Sequence, residues 1–409
     1  MSAAFVFLLP GYFLYHWTAN IGLIPMVLGG YSNESAILVI AWVSLWAIAA
    51  LLRESVSRIR LSSTELLYVL FMLYFTTIVL LHWSTGTAPQ VTVSHTAAIL
   101  QITAAFLVFR LAPLGSSGLH RVLLATVLIM SLLVYKTAAN DSLTLLLASN
   151  DNTKVATYQG LARVFLLTVV VITAFTPSRF KRIFHYLNAI AVLFLIGARS
   201  EVAGLLVFAA TLEWMLTRRK GMALLLMPVL LAVAAVVLID VIPQLNTWFP
   251  DNRVLFLLEF GSDGSVIERR EQIQFAQNSI AASPILGAYG SYTMLGSAGS
   301  YAHNILSAWV DLGIVGMGLL VALLMRLAVI YIKQSKLKIV MPHTVAFHGL
   351  GTGLLMQTLF FLIAAKSFTD VSVAVLVGVT SALRFRMRKG NVCSAVAYHS
   401  HQITKIAIR

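Results

Sequence analysis

The chain has 409 residues, of which 59% are apolar and only 11% are charged. Soluble globular proteins carry about 25% charged residues, so this composition excludes an ordinary soluble enzyme, a disordered chain and a nucleic-acid-binding module. The net charge of +14 is typical of basic loops beside membrane spans, and the single Cys393 excludes an internal disulfide and a four-cysteine metal site.

Apolar runs of about 18 or more residues, long enough to cross a bilayer as a helix, recur along the chain. We therefore predict an all-α polytopic membrane protein with about 12 transmembrane helices. The first run continues past Met26 without a basic start or a clear cleavage site, so no cleavable signal peptide is expected. The predicted spans are 5–29, 36–52, 63–81, 96–111, 121–138, 160–177, 183–198, 200–216, 222–241, 303–330, 343–364 and 371–385.

The predicted spans divide the chain into four parts. Residues 1–241 hold spans one to nine, 242–302 form a larger outward segment, 303–385 hold the last three spans, and 386–409 form a basic cytoplasmic tail. In this topology all but eight of the 29 Lys and Arg residues lie on one side, which identifies the cytoplasm and places both termini there. The eight outer residues are either snorkelling or solvated side chains or members of a site: Lys136, Lys154, Arg163, Arg199, Arg253, Arg269, Arg270 and Lys366.

The outward segment is predicted to contain an amphipathic helix. Ser265 and Glu268 have capping-box spacing, and a proline at 284 limits the helix to about residue 282. Arg270 points about 100° away from Arg269 on this helix. Arg269 shares its face with an apolar stripe, namely Ile273, Ala276 and Ile280.

Two arginine positions are candidate anion sites. Arg199 lies between two apolar runs that leave no true loop, and it either pairs with Glu201 to stabilise a helical hairpin or binds phosphate oxygens. Arg269 and Arg270 are either solvated and balanced by adjacent glutamates or form a second basic site. Two arginine centres on one side of the membrane suit a pyrophosphate better than a single carboxylate.

Three polar residues open the tenth predicted span. His303 either has a structural role, as is usual for a lone histidine at a helix start, or acts as a general base toward a sugar hydroxyl. Asn304 either orients substrate or caps the helix. Asp311, two turns further in, is an intramembrane hydrogen-bond anchor or part of the site.

No metal or nucleotide cofactor is expected. The outer histidines His82 and His95 have no carboxylate or cysteine nearby at ligand spacing, and the acidic residues of the outward segment lack the spacing of a calcium-binding loop. A phosphate-binding Gly-Lys loop does not occur either, so the sequence does not indicate a nucleotide-driven pump.

The string HNILSAWVDLGIVG at 303–316 resembles the signature of the O-antigen ligase and polymerase superfamily (WaaL and Wzy proteins). That signature has His-Asn, Leu three residues after the His, an acid eight after, and Gly ten and thirteen after; the usual Glu is Asp311 here. Upstream, Arg269 followed by a proline and a glycine resembles the family's periplasmic helix, although its usual aromatic is replaced by Ile273. Arg199 resembles the family's arginine in a short periplasmic turn, where the usual Ser-Arg-Gly reads Ala-Arg-Ser.

The resemblance implies a GT-C-type, metal-independent and inverting glycosyltransferase on the periplasmic face of the bacterial inner membrane. Its donor would be a glycan on undecaprenyl pyrophosphate, and its acceptor would be a second glycan or lipid A-core. Its other partners would be the membrane lipids around it and a chain-length regulator. Arg199 and Arg269 or Arg270 would hold the pyrophosphate, and His303 would position or deprotonate the acceptor hydroxyl. The supporting residues would be Asn304, Asp311 and Glu201.

Three functions compete. We favour polymerisation of lipid-linked repeat units, because a compact outward segment and a generic framework suit many repeat units. A ligase that transfers the glycan to lipid A-core differs only in its acceptor. A flippase or transporter would require paired charges along a pore and is often built from inverted repeats; the sequence offers few such charges and no visible repeat.

Overall fold

The computed structural model describes residues 1–20, 23–24, 37–43, 45, 61–139, 158–217, 264–297, 299–335 and 342–384. Within these ranges every regular element is a helix and no strand occurs, so the predicted all-α class is confirmed. The predicted span 222–241, most of span 36–52, the tail from 386 and the basic residues Lys154 and Arg253 lie outside the described residues.

The N-terminal helix is interrupted by one wide turn. Helix α1 (Ser2–Val6) continues through a π-helical turn (Phe7–Gly11) into α2 (Tyr12–Asn20). Pro10 lies in the wide turn. Proline has no backbone N–H and its ring collides with the carbonyl of the preceding turn, so a local widening lets the helix continue past it.

The other helices follow the predicted segments closely. Helix α4 begins earlier than predicted, at Pro89, because proline fits the first helical position, where the missing N–H has no partner in any case. The helices are α3 (Ser63–Thr85), α4 (Pro89–Leu111), α5 (Ser117–Ala139), α6 (Tyr158–Phe175), α7 (Arg179–Ile196), α8 (Arg199–Leu216), α9 (Gly264–Ala282), α10 (Leu306–Ser335), α11 (Pro342–Ala364) and α12 (Ser372–Arg384).

Six of the described helices are long and apolar enough to cross a membrane, namely α3, α4, α5, α6, α10 and α11. The length and apolar composition of these helices support the predicted polytopic membrane character. Helices α7 and α8 carry more charge along their length, and α12 is shorter.

Helix α6 lies near the centre of the bundle, with most of its side chains buried and with α5, α7, α8 and α11 packed around it. Helices α8 and α11 approach closely because glycines face aromatic rings. A Cβ atom on Gly353 would lie 2.7 Å from the Phe208 ring, and Gly204 similarly faces Phe361. Small residues allow such close contact between apolar helices. The packing brings α8 and the end of α11 beside the start of α6.

The described part of the segment predicted to face outward contains a helix, α9, where one was predicted. It begins at Gly264, so Ser265 is its second residue and the predicted capping position is wrong. Glu268 instead accepts a hydrogen bond from Gln272 Nε2 at 3.0 Å. The predicted apolar face is confirmed at Ala276, which is buried in a small cluster with two tyrosines of the following loop.

Helix α10 is kinked at Gly313, which has φ 64° and ψ −169°. A Cβ atom at this position would collide with the carbonyl oxygen of Ile285, in the loop that follows α9. That same oxygen accepts a hydrogen bond from the Ile314 N–H at 3.2 Å, and the Leu312 carbonyl accepts one from the Tyr74 hydroxyl at 3.0 Å. At the kink, α10 thus binds the loop after α9 on one side and Tyr74 of α3 on the other.

Candidate functional site

Four side chains act on one another where α9, the loop before α10 and the loop after α11 come together, and we call them the histidine cluster: Arg269, Tyr301, His303 and Lys366. The ring centroids of Tyr301 and His303 are 4.6 Å apart. Burial, and then the charges of Arg269 and Lys366, lower the pKa of His303 to about 4. The imidazole is therefore neutral near pH 7 and can accept a hydrogen bond from a hydroxyl group.

Of the two adjacent arginines on α9, the structure brings Arg269 to His303. Both guanidinium groups belong to exposed residues, but it is the charge of Arg269 that acts on His303 and on Tyr301. Within the described ranges, the Arg270 charge acts on neither His303 nor Tyr301. The difference follows from the helix, since Arg269 lies on the side that carries the buried Ala276.

A buried group of four charged side chains lies next to this cluster, and we call it the ion network: Arg163, Glu201, Lys366 and Asp370. The Arg163 guanidinium lies 3.2 Å from a Glu201 oxygen and 2.9 Å from an Asp370 oxygen. Lys366 Nζ lies 2.9 Å from Glu201 Oε1. The network joins the starts of α6 and α8 to the loop between α11 and α12, and its formal charges sum to zero.

The network also explains how Arg163 is held inside the bundle. Its guanidinium carbon lies 4.2 Å from the centroid of the Phe361 ring, and it donates a hydrogen bond to Ser372 Oγ at 3.2 Å. A buried charge pair of this kind is costly to break, because removal of one partner leaves the other uncompensated. Arg163 therefore has a structural role in this site, although it was one of the unexplained outer cations in the sequence.

Glu201 has partners that the sequence did not suggest. Its carboxylate contacts Arg163 and Lys366, and it also accepts a hydrogen bond from Ser200 Oγ at 2.7 Å. Arg199 is half-buried and begins α8 two residues before Glu201, so it stands beside the ion network. Lys366 pairs with Glu201 at this end of α8, and its charge also acts on His303. The role of Arg199 as a phosphate ligand stays a prediction.

A polar cavity of about 70 Å³ lies between the loops and the helices. Tyr301 of the histidine cluster forms part of its wall, and Asp311 and His95 form part of it deeper in the protein. Most of the other groups carry hydroxyls. The complete lining is Ser94, His95, Tyr292, Tyr301, Ser307, Asp311, Ser367, Phe368 and Thr369.

His95 and Asp311 form a buried pair within the helices, which we call the His–Asp pair. His95 Nε2 lies 3.8 Å from Asp311 Oδ2, and the two residues are 6% and 2% exposed. The other ring nitrogen of His95, Nδ1, is hydrogen-bonded to the Tyr289 hydroxyl at 3.1 Å. Asp311 Oδ1 accepts a hydrogen bond from the Gly290 N–H at 2.9 Å. Through this hydrogen bond Asp311 holds the loop after α9 against helix α10.

Asn304 caps helix α10. Its side-chain oxygen accepts a hydrogen bond from the Leu306 N–H at 3.0 Å, and its carbonyl accepts one from Ser307 Oγ at 2.7 Å. This geometry agrees with the helix-capping alternative. Asn304 is also only 9% exposed, so most of its surface is buried against other residues of the protein.

Sequence reasoning missed the partners of two site residues. His95 has no carboxylate near it in the chain, yet Asp311 lies beside it in space. Asp370 pairs with Arg163 across 207 positions, which no local pattern indicates. The available signal was the presence of ionisable side chains within apolar segments, which usually marks a partner or a site. Among the described residues, no group of three His, Cys, Asp or Glu side chains could hold a metal ion.

Comparison with known proteins adds no family assignment. No protein-family model matches the chain, and no curated protein matches it.

Proposed function

We propose that the protein transfers a glycan from a polyprenyl-pyrophosphate carrier to a hydroxyl of an acceptor glycan, and that it thereby polymerises lipid-linked repeat units of O-antigen or a related polysaccharide. The observation that carries the proposal is a neutral imidazole, His303, placed beside two cations, Arg269 and Lys366, at the edge of a hydroxyl-lined cavity. In such a site the exposed Arg269 can bind a diphosphate next to a hydroxyl group, while Lys366, paired with Glu201, helps to keep the imidazole neutral.

The proposed chemistry requires two kinds of group. As the acceptor oxygen bonds to the anomeric carbon, the bond from that carbon to the pyrophosphate breaks and negative charge grows on the leaving phosphate. Arg199 and Arg269 would stabilise this charge, since cationic groups fixed before the reaction act most strongly on developing charge. His303 would position the acceptor hydroxyl or take its proton. Attack from the face opposite the leaving group would invert the anomeric centre.

The proposal places the site at the periplasmic face of a bacterial inner membrane, with about 12 spans and both termini in the cytoplasm. The six long apolar helices support a membrane location. The site residues support a location on one face of the membrane, because they all lie at one end of the helix bundle. They come from α9, the start of α8 and the loops before α10 and after α11. No nucleotide is needed, since the phosphate-linked carrier already activates the sugar.

The lipopolysaccharide of a deletion strain would distinguish the competing functions. A lost polymerase leaves single repeats attached to core lipid. A lost ligase leaves long chains on the undecaprenyl carrier and bare core, and a lost transporter leaves precursor on the cytoplasmic side. The second and third results would each contradict polymerisation.

Substitution of His303 tests the site itself. We expect His303→Ala to reduce transfer by about 10²- to 10⁴-fold, the usual effect of removing an acid–base group. Protein abundance in the membrane should be unchanged. Polysaccharide of normal length in the complemented deletion strain would show that His303 is not part of the catalytic machinery.

A further inference from the structure

We propose that the His–Asp pair, His95 and Asp311, accepts through the polar cavity the proton that the acceptor hydroxyl loses during glycosyl transfer. This inference rests on the proposed function and adds two buried residues to it. The reaction releases one proton for each bond formed. The structure contains a route and a buried acceptor for that proton.

His303 is a suitable first acceptor but a poor place for the proton to remain. Arg269 and Lys366 both oppose a positive charge on its ring, and burial does the same. An imidazolium formed at this position would therefore pass its proton onward. A second acceptor further from the two cations would complete the step.

The cavity provides the connection. Tyr301 contacts the His303 ring on one side and forms part of the cavity wall on the other. The Tyr301 hydroxyl interacts with Ser367, whose hydroxyl is 2.6 Å from that of Thr369. A polar space of about 70 Å³ has room for a few water molecules, which hydroxyl groups can orient.

The His–Asp pair at the inner wall is arranged to take up a proton. Asp311 accepts hydrogen bonds from the Gly290 N–H and from Tyr292, and its second oxygen, Oδ2, faces His95. The pair of one carboxylate and one neutral imidazole has a net charge of −1, so uptake of a single proton makes it neutral and removes a negative charge from an apolar interior, which is favourable.

The surroundings of the pair are otherwise uncharged in the described part of the chain. The titratable groups that face it are Tyr289 and Tyr292 from the loop after α9, and His82 of α3, which stacks on Tyr289 with centroids 4.1 Å apart. The aromatic rings of Phe75 and Phe368 pack against His95 from α3 and from the loop after α11.

The complete step balances. The acceptor oxygen forms a bond to the anomeric carbon, and the bond from that carbon to the pyrophosphate oxygen breaks with its electron pair on that oxygen. The hydroxyl proton moves to His303 and then, through cavity water and hydroxyl groups, to the His–Asp pair. It returns to solvent by the same route after the product leaves.

Kinetic measurements on the purified full chain in liposomes test the inference, with an undecaprenyl-pyrophosphate-linked glycan as donor. Asp311→Asn and His95→Gln keep side chains that can form hydrogen bonds but alter proton uptake. We expect each to lower kcat by about ten-fold or more, with little change in the KM for donor and with a larger solvent isotope effect. Wild-type kcat in both variants would overturn the inference.

Tyr74→Phe is the matched control. It removes the hydrogen bond to the Leu312 carbonyl, one residue from Asp311, but Tyr74 does not line the cavity. It should leave kcat and the isotope effect unchanged. The same losses in this variant would identify a general distortion of α10 and would also overturn the inference.

Infrared titration without any glycan separates the inference from the proposed function. In the purified chain we expect a carboxyl stretching band that is lost in Asp311→Asn, responds to pH, and shifts its midpoint in His95→Gln. A band that does not respond to pH overturns the inference. A chain that titrates but transfers no glycan refutes the proposed function, and the inference with it.

Discussion

The ion network and the histidine cluster both contain positive side chains, yet they differ in how those charges are balanced. In the ion network, the Arg163 and Lys366 cations meet the carboxylates of Glu201 and Asp370 at distances of 2.9 to 3.2 Å. In the histidine cluster, Arg269 is exposed and no described carboxylate forms an ion pair with it. A cation with a buried partner is committed to the fold, because removal of that partner would leave an uncompensated charge, whereas a cation open to solvent can bind an anionic ligand.

Lys366 belongs to both groups, so it connects them. Its ammonium group pairs with Glu201, and its charge also acts on His303. The fold-stabilising network therefore holds one of the two cations that make His303 a neutral acceptor. The predictions below test whether the two groups really have separate tasks.

The largest expected effect is on stability. Glu201→Leu leaves Arg163 and Lys366 without a shared carboxylate, and breaking a buried pair costs about 3–5 kcal/mol. Thermal unfolding in detergent measures the loss. Arg179→Ala is the control, since the exposed Arg179 lies 3.7 Å from Glu213 and should contribute about 1 kcal/mol or less. Equal losses in the two variants would contradict a stabilising role for the network.

The next effect separates the two neighbouring arginines of α9. Arg269→Gln should lower the rate of glycan transfer by about 10²-fold, because it removes a charge that stabilises the leaving group. Arg270→Gln, the matched control on the same helix, should change the rate far less. Both proteins should unfold at similar temperatures, because both residues are exposed. A greater loss in Arg270→Gln would reverse the assignment.

The acid limit of activity tests the charge around His303. Its pKa is lowered to about 4 by burial and by Arg269 and Lys366, so the neutral base persists down to that pH and activity is lost as pH falls through it. Arg269→Gln removes one opposing charge, so its acid limit should move upward, toward the ordinary histidine pKa of about 6.5. Transfer rates measured across a pH series give the acid limit of the wild type and of Arg269→Gln. Identical acid limits would mean that Arg269 does not influence His303.

The smallest expected effect concerns Asn304. Loss of its cap in Asn304→Ala should destabilise the protein by about 1 kcal/mol, as is usual for an N-cap residue. Thermal unfolding gives this value, and the transfer rate at a temperature where the protein is fully folded should stay near that of wild type. A large drop in rate with normal stability would favour the alternative in which Asn304 orients substrate.

Much of the fold could be predicted because helix formation in an apolar chain depends on local sequence. The length of each apolar run determined the existence and approximate bounds of α3, α5, α6, α10 and α11. The rotation of 100° per residue also separated Arg269 from Arg270, and the structure agrees with that separation. The start of α9 was misplaced, since capping spacing alone does not specify which residue begins a helix.

The sequence by itself thus determined the all-α class of the described residues, the apolar runs that form six long helices among them, and the identity of the polar residues that interrupt these runs. Only the tertiary structure decided that Glu201 pairs with Arg163 and Lys366, that His95 meets Asp311, and that Gly313 adopts a conformation with positive φ. The physical reason is that a buried charge must find a partner, and the partner's position depends on which helix ends pack together. Helix packing joins residues far apart in the chain, and no local pattern specifies that choice.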